Sequence, residues 1–179
     1  MVDIVDSQTR SRMMSSIRGK DTRPELALRR ALHKLGLRYR LHAKELLGKP
    51  DLIFPRHRAA LFVHGCFWHR HHGCRFSTTP VTRREFWIEK FSQNQERDRK
   101  VKGALIHEGW RVATIWECAI KRSGETEVAG QIVSWLVRHE RLLEIPNAPN
   151  RGDVKRCSQP GGHPFGFVVA QAHADPVSR

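Results

Sequence analysis

The eleven-residue segment from His64 to Cys74 constrains this chain more than any other part of it. It contains four of the 11 histidines and two of the four cysteines in the 179-residue sequence. A hydrophobic core does not accommodate polar groups at that density, because each buried imidazole needs a partner. Histidine nitrogen and cysteine sulfur are the donors that tetrahedral Zn²⁺ prefers. The segment therefore predicts a loop folded around a structural zinc ion.

Three candidate zinc ligands stand at spacings that suit one loop: Cys66, His71 and Cys74. His72 is an alternative to His71, since spacing alone leaves both open. A closed structural site needs a fourth ligand, and Cys118, at the end of a predicted strand, is the best candidate. Cys157 is expected to be a free thiol. The competing interpretation is a set of reduced, buried cysteines with surface histidines, which is normal in a reducing compartment.

The chain is also strongly basic. It carries 32 Lys and Arg against 18 Asp and Glu, a formal net charge of +14, and residues 1–44 alone hold +7 of that excess. A Lys/Arg-rich arm is typical of phosphate contacts, so nucleic acid is the expected partner. No stretch reaches the roughly 20 apolar residues of a membrane span, and residues 1–16 lack the apolar core of a signal peptide. These features predict a soluble, intracellular protein that binds a polyanion.

Hydrophobic periodicity predicts a mixed α/β domain on a short central sheet. Helices are expected over residues 9–18, 22–35, 84–107 and 126–143. Strands are expected over residues 37–41, 51–54, 59–63 and 110–116. Thr22-Arg23-Pro24-Glu25 predicts a capping box at the second helix. Proline and glycine accumulate after residue 145, which predicts a loosely ordered tail.

Asp51 stands in a context that indicates nuclease chemistry. Pro50-Asp51 precedes one short strand and is followed by a second, apolar strand, as in the first half of the PD-(D/E)xK nuclease motif. The second half is absent, because Val63-His64-Gly65 stands where Glu-x-Lys is expected. Phosphodiester hydrolysis needs a cation at the phosphate and a base for water. Asp51 is the candidate metal anchor, and His64 and His69 are both candidate bases.

Two adjacent aromatic residues, Phe67 and Trp68, lie within the His/Cys segment. Neighbouring side chains point in divergent directions, so at least one of them is expected at the surface. Apolar wedges inserted between base steps kink DNA and probe weak pairs. The competing interpretation is that both rings pack around the metal.

Seven motifs in one order resemble the very-short-patch repair (Vsr) endonucleases, which nick DNA beside T:G mismatches left by deamination of 5-methylcytosine. They are Arg10-Ser11-x-x-Met14, Asp21-Thr22-x-x-Glu25, Pro50-Asp51, His64-Gly-Cys-Phe-Trp-His69, Glu85-Phe-Trp-x-Glu-Lys90, Asn94-x-x-Arg97-Asp98, and Gly109-Trp-Arg-Val112 through Trp116-Glu-Cys118. The resemblance covers residues 8 to 140. It implies an α/β, restriction-endonuclease-like mixed central sheet flanked by helices, a structural zinc site and Mg²⁺-dependent cleavage of one strand.

The resemblance also implies roles for individual residues. Asp51 and the backbone carbonyl of Val63 would ligate Mg²⁺; some relatives have Thr at position 63, but Val offers the same carbonyl. His69 would act as general base, His64 would assist at the scissile phosphate, and Glu25 would position a water molecule. Four side chains would insert or stack beside the mismatch: Met14, Phe67, Trp68 and Trp87. The zinc ligands would be Cys66, His71, Cys74 and Cys118.

The expected organisation is a DNA-contacting helix or arm (1–20), a Vsr-like endonuclease domain (21–143) and a loosely ordered tail (144–179). The expected partners are double-stranded DNA containing T:G mismatches and other mismatch-repair factors, with no membrane. The protein is expected to be a monomer in the bacterial cytoplasm, associated with the nucleoid. The alternative function is a non-catalytic, zinc-stabilised protein that binds mismatches or kinks DNA, and it would show no metal-dependent cleavage.

Overall fold

The computed structural model describes residues 19–146 and, before them, Asp6, Gln8, Thr9, Arg12 and Ser15. The last four of these isolated residues have a helical backbone. Met14 and Cys157 lie outside the described residues, so the expectations for both stay predictions. The same holds for the tail after residue 146.

The described residues form three helices and five strands on one continuous stretch of chain. In order they are α1 (Arg23–Lys34), β1 (Arg40–Leu41), β2 (Leu52–Phe54), β3 (Ala59–His64), α2 (Arg84–His107), β4 (Arg111–Trp116), α3 (Glu117–Val137) and β5 (Leu142–Ile145). A single 3₁₀ turn, Pro55–His57, joins β2 to β3. None of these helices is long and apolar enough to cross a membrane.

The five strands form one mixed sheet in the order β1-β2-β3-β4-β5. The first three strands are antiparallel, and β3, β4 and β5 are parallel. The start of β2 therefore lies beside the end of β3, and the ends of β4 and β5 lie at the same edge. Crevices outside the carboxyl ends of parallel strands are the usual ligand sites of such sheets. The sheet topology thus collects Asp51, His64 and the end of β4 at one edge.

Helices cover both faces of the sheet. On one face, α1 and α3 pack on buried residues of β2, β3 and β4, with Leu28, Leu32 and Ile132 fully buried between the layers. On the other face, α2 contributes Leu105 to a smaller core. A third small cluster forms around Cys66, below the sheet edge. The predicted fold class, a mixed central sheet flanked by helices, is confirmed.

Two local predictions are wrong. The strand predicted over residues 37–41 is reduced to Arg40–Leu41, although the Tyr39 ring packs edge-on against Phe54. The capping box at α1 does not form, because no side chain caps the N-terminus. Instead the Thr22 hydroxyl donates to Glu25 Oε1 at 2.8 Å, so the two side chains bond to each other and not as a regular cap.

The last helix differs most from the prediction over residues 126–143. Helix α3 begins at Glu117, is interrupted at Gly124 (φ 80°, ψ 156°), and ends at Val137. The predicted end was wrong because Leu142 and Leu143 continue the helical spacing of the preceding apolar residues, although both belong to β5. The guanidinium of Arg111 ends the helix by donating to the carbonyls of residues 135, 136 and 140. This contact comes from a distant strand, which periodicity does not report.

Candidate active site

Asp51 sits where β2 begins, beside the last residues of β3. The backbone N–H of Val63 donates to Asp51 Oδ2 at 2.8 Å. The N–H and C=O of one strand residue point to the same side, so the Val63 carbonyl is directed toward Asp51 as well. Burial raises the pKa of Asp51 to about 6, helped by the charge of Glu25 and opposed by the Val63 N–H. A partly buried carboxylate beside a backbone carbonyl is an oxygen donor set that fits a hard cation such as Mg²⁺.

Glu25 is held rigidly beside this carboxylate. It is 3% exposed and accepts hydrogen bonds from the Asp21 N–H at 2.9 Å and the Thr22 hydroxyl at 2.8 Å. The buried guanidinium of Arg29 donates to Glu25 Oε2 at 2.9 Å and also to Asp21. A buried carboxyl group with a paired cation and several donors is held in one position. Helix α1 therefore presents a preoriented carboxyl group to the cleft.

The two candidate histidines stack on each other. The rings of His64 and His69 lie 3.8 Å apart between centroids and are nearly parallel, at 11°. His69 Nδ1 is 2.5 Å from Asp98 Oδ2 on α2. Burial and the neighbouring charge of His69 lower the pKa of His64 to about 3. Burial alone would raise the pKa of Asp98, but the His69 hydrogen bond and the nearby positive charges lower it.

The lowered pKa of Asp98 indicates where the proton of the hydrogen bond between His69 and Asp98 lies. An ionised Asp98 accepts a hydrogen bond, so Nδ1 of His69 carries a proton and its Nε2 faces away from Asp98. A histidine oriented by a carboxylate in this way is the arrangement of a general base. His64, by contrast, is a neutral imidazole at physiological pH.

All of these groups line one cleft of about 1470 Å³. Asp51, His64 and His69 face it together with Glu25 and Asp98. Five basic side chains belong to the same lining: Lys20, Arg23, Lys44, Lys49 and Arg97. A cleft lined by both carboxylates and several basic groups offers ligands for a cation and attracts a phosphate backbone.

Aromatic rings form a continuous cluster at one side of the cleft. Phe67 lies edge-on to Trp68 at 5.0 Å and to Trp87 at 5.5 Å, and Trp68 lies 5.9 Å from Trp87. All three side chains are partly exposed, as expected for rings that pack on one side only. The buried amide of Asn94 donates to the Trp68 carbonyl at 3.1 Å. Helix α2 therefore supports the loop that carries these rings.

The Cys/His cluster lies behind the same loop. The ligand atoms of Cys66, His71, Cys74 and Cys118 all lie within 4.8 Å of one another. His71 Nδ1 is 3.2 Å from Cys118 Sγ and 3.8 Å from Cys66 Sγ, separations that suit ligands of one tetrahedral ion. Burial raises the pKa of the Cys66 thiol. Four converging N and S donors in a buried position fit a metal ion, and this cluster could hold one.

The chain matches the family described as DNA mismatch endonuclease Vsr over residues 2–75. The type II nicking enzyme V.XorIIP of Xanthomonas oryzae pv. oryzae is 46% identical over 127 residues, which cover 71% of this chain and 93% of that relative. The DNA mismatch endonuclease Vsr of Escherichia coli K12 is 44% identical over 121 residues, or 68% of this chain and 77% of that relative.

The chain belongs to the Vsr family. As a member of the Vsr family it is a DNA mismatch endonuclease, and DNA is its partner. A third relative, the type II nicking enzyme V.NmeAIP of Neisseria meningitidis, is 39% identical over 121 residues, with 68% and 86% of the two chains covered.

In this Vsr-family chain the structure brings most of the predicted site residues together. Asp51, Val63, His64, His69 and Glu25 meet at one cleft, and the aromatic residues Phe67, Trp68 and Trp87 form one cluster. Of the two neighbouring histidines, His71 lies in the Cys/His cluster. It is buried among the cysteines, whereas His72 is exposed outside them. Met14 lies outside the described residues.

Sequence analysis missed the partner of His69. Asp98 lies 29 residues further along the chain and contacts His69 only because α2 crosses the sheet there. The available signal was the Asn94-x-x-Arg97-Asp98 motif, which places an amide and a carboxylate one helical turn apart. That spacing shows that both side chains share a face of α2, but it does not show which loop they contact.

Proposed function

We propose that this protein nicks one strand of double-stranded DNA next to T:G mismatches that arise from deamination of 5-methylcytosine. The reaction is Mg²⁺-dependent, with Asp51 as metal ligand and His69 as general base. The protein acts as a monomer in the bacterial cytoplasm, in contact with the nucleoid and with other mismatch-repair factors. Membership of the Vsr family and the composition of the cleft support this proposal.

Two metal ions are part of the proposal. Asp51 and the Val63 carbonyl would hold Mg²⁺, which would supply positive charge against the scissile phosphate. Cys66, His71, Cys74 and Cys118 would hold Zn²⁺ in a closed set of four ligands, a composition typical of structural sites. The zinc ion would fix the loop that carries Phe67, Trp68 and His69.

His69 removes the proton from the attacking water. Its Nε2 lone pair accepts that proton while Nδ1–H stays bonded to Asp98, whose negative charge stabilises the imidazolium that forms. His64 stays neutral and donates an N–H hydrogen bond to the phosphate. Glu25, held by Arg29, orients water on the side of Asp51. General-base assistance of this kind typically contributes about 10²–10⁴-fold to the rate.

Mismatch recognition is assigned to the aromatic cluster. A T:G wobble pair stacks less well than a matched pair, so Phe67, Trp68 and Trp87 insert or stack beside it at lower cost in deformation energy. Met14 would enter from the opposite side. The basic residues around the cleft hold the backbone of any duplex, so they supply affinity without selecting the mismatch.

The observation that carries the proposal is the convergence of Asp51 and the His69–Asp98 pair on one cleft beside the aromatic cluster. The test incubates the protein with Mg²⁺ and two end-labelled duplexes, identical except for one T:G or C:G pair. We expect one labelled strand of the T:G duplex to be cut and the C:G duplex to stay intact. Asp51→Ala should abolish the nick and keep mismatch binding.

Two other results would favour a different function, and a third would refute one residue assignment. Mismatch binding without cleavage in Mg²⁺ would support the alternative of a non-catalytic, zinc-stabilised binding protein. Cleavage of both strands at matched sites would indicate a restriction-type nuclease. Retained nicking by Asp51→Ala would refute the assignment of the metal anchor.

A further inference from the structure

A series of ring contacts joins the Cys/His cluster to the active-site histidines. His71 of the cluster stacks on Trp116, with centroids 4.3 Å apart and planes at 13°. The same indole meets His64 edge-on at 5.5 Å and 73°, and His64 stacks on His69. Trp116 therefore lies between a predicted metal ligand and the histidine pair.

Trp116 also donates a hydrogen bond to a residue on β5, the strand that periodicity missed. Its indole Nε1–H donates to Glu144 Oε1 at 2.8 Å. Trp116 ends β4 and lies beside His64 in the sheet register, whereas Glu144 is on the next strand, opposite Thr114. A buried indole has one N–H donor, and it needs an acceptor in a defined direction. A carboxylate acceptor makes this a charge-assisted hydrogen bond.

Trp116 is buried and stacked on His71, and it also borders a cavity. A cavity of about 290 Å³ is lined by Trp116, His64 and His69, and Glu144 and Asp98 lie in the same wall. Rings that border empty space lose contacts on that side and are held less firmly than rings in a filled core. The directed hydrogen bond from Trp116 to Glu144 therefore adds to the stacking on His71 in setting the plane of the indole, which in turn contacts His64.

We propose that Glu144 is a positioning residue for strand cleavage, which acts through the Trp116 indole to hold His64 against His69. This role rests on the proposed function, in which His64 and His69 act at the scissile phosphate. It extends that function to β5, which pairs with β4 at the edge of the sheet. The side chain of Glu144 is largely exposed, so its replacement removes little packing.

The test compares Glu144→Leu, which has no acceptor, with Glu144→Gln, which keeps one. Single-turnover and steady-state nicking of the T:G duplex give kcat and KM, and the indole N–H resonance of Trp116, assigned with Trp116→Phe, reports the hydrogen bond. For Glu144→Leu we expect kcat to fall about ten- to a hundredfold, as for small misplacements of reacting groups, with KM unchanged and an altered indole resonance. Glu144→Gln should restore kcat, and the exposed Glu140→Leu should behave as wild type.

A double-mutant cycle with Trp116→Phe separates this role from a general effect. If Glu144 acts through the indole, adding Glu144→Leu to the Trp116→Phe variant should change nothing further. Equal defects in the Leu and Gln variants, or wild-type kcat in Glu144→Leu with an altered indole resonance, would overturn the positioning role while leaving the proposed function intact. Absence of nicking by the wild-type protein would overturn the proposed function and the positioning role together.

Discussion

Replacement of Asp51 by Asn should make the metal-free protein more stable while it abolishes nicking. The carboxyl group is largely buried, and burial raises its pKa to about 6 from the usual 3.8. Its ionised form is therefore unfavourable in the folded state when no cation neutralises it. Asn keeps an oxygen that can accept the Val63 N–H and has no proton to lose. The substitution removes the unfavourable charge and keeps the hydrogen bond.

The sign and size follow from the two pKa values. The folded protein binds the Asp51 proton more tightly than the unfolded chain, so wild-type stability falls as pH rises from about 3.8 to about 6. Above that window the full difference applies, which amounts to about 3 kcal/mol in the free energy of unfolding. Below it Asp51 is neutral in both states, and Asp51→Asn should match the wild type. For a domain of this size, 3 kcal/mol corresponds to roughly 10 °C in Tm.

The assay is denaturant unfolding of both proteins at pH 4 and pH 7 in buffers without added Mg²⁺. We expect the stability difference to be small at pH 4 and about 3 kcal/mol in favour of Asp51→Asn at pH 7. Addition of Mg²⁺ should then stabilise the wild type alone and reduce the difference, because a ligand of the folded state adds to its stability. Nicking of the T:G duplex should be undetectable for the variant.

Asp98→Asn is the matched control, with the opposite sign. The pKa of Asp98 is lowered, because the His69 hydrogen bond and nearby positive charges outweigh burial. Its ionised form therefore stabilises the folded protein above the usual pKa of 3.8, and the Asn variant should be less stable at pH 7. If Asp51→Asn proved equally stable or less stable than the wild type at pH 7 without metal, the cleft would not disfavour the Asp51 charge and the reasoning would fail.

Three further predictions concern the His69–Asp98 pair, the Cys/His cluster and the net positive charge of the chain. Asp98→Asn should lower kcat about 10²–10⁴-fold with little change in DNA affinity, because His69 loses its fixed tautomer; an unchanged kcat would contradict this. Cys118→Ser should reduce bound zinc below one ion per chain and lower the free energy of unfolding by roughly 3 kcal/mol, a quarter of a typical structural-zinc contribution. Cys157→Ser should change neither quantity. Metal analysis and thermal unfolding measure the two. Raising the salt concentration should weaken binding to T:G and matched duplexes with similar slopes of log K against log [salt]; a T:G preference that disappeared with salt would contradict the assignment of selectivity to the aromatic cluster.

Helices and strands whose residues follow a regular apolar pattern were predictable from the sequence. The apolar run of β3 begins at Ala59, and its first three residues are buried, as their apolar residue types predict. Helix α2 has the predicted bounds, Arg84–His107, since Gly109, with φ 81°, ends it in a backbone conformation that favours glycine. The proximity of Asp51 and Val63 was also predictable, because β2 and β3 pair as a hairpin.

Contacts between distant segments were not predictable. The Arg111 guanidinium ends α3, and β5 then pairs with β4, so a leucine pair at helical spacing became a strand. Glu25 was expected to complete a capping box. In the structure no side chain caps α1, and Glu25 pairs with the buried guanidinium of Arg29. In each case a charged or hydrogen-bonding group from another element decided the outcome, and hydrophobic periodicity carries no information about it.

Asn94 and Asp98 lie four residues apart on α2, so one helical turn supports both the aromatic loop and His69. Trp68 and His69 are also neighbours in sequence, which leaves no flexible joint between the two contacts. Under the proposed function, a duplex that displaces the loop would shift the proposed proton acceptor, His69, in the same movement. Selectivity and rate are not independent properties in such a scaffold. Variants selected for a different mismatch through changes on this turn will carry an altered cleavage rate with them.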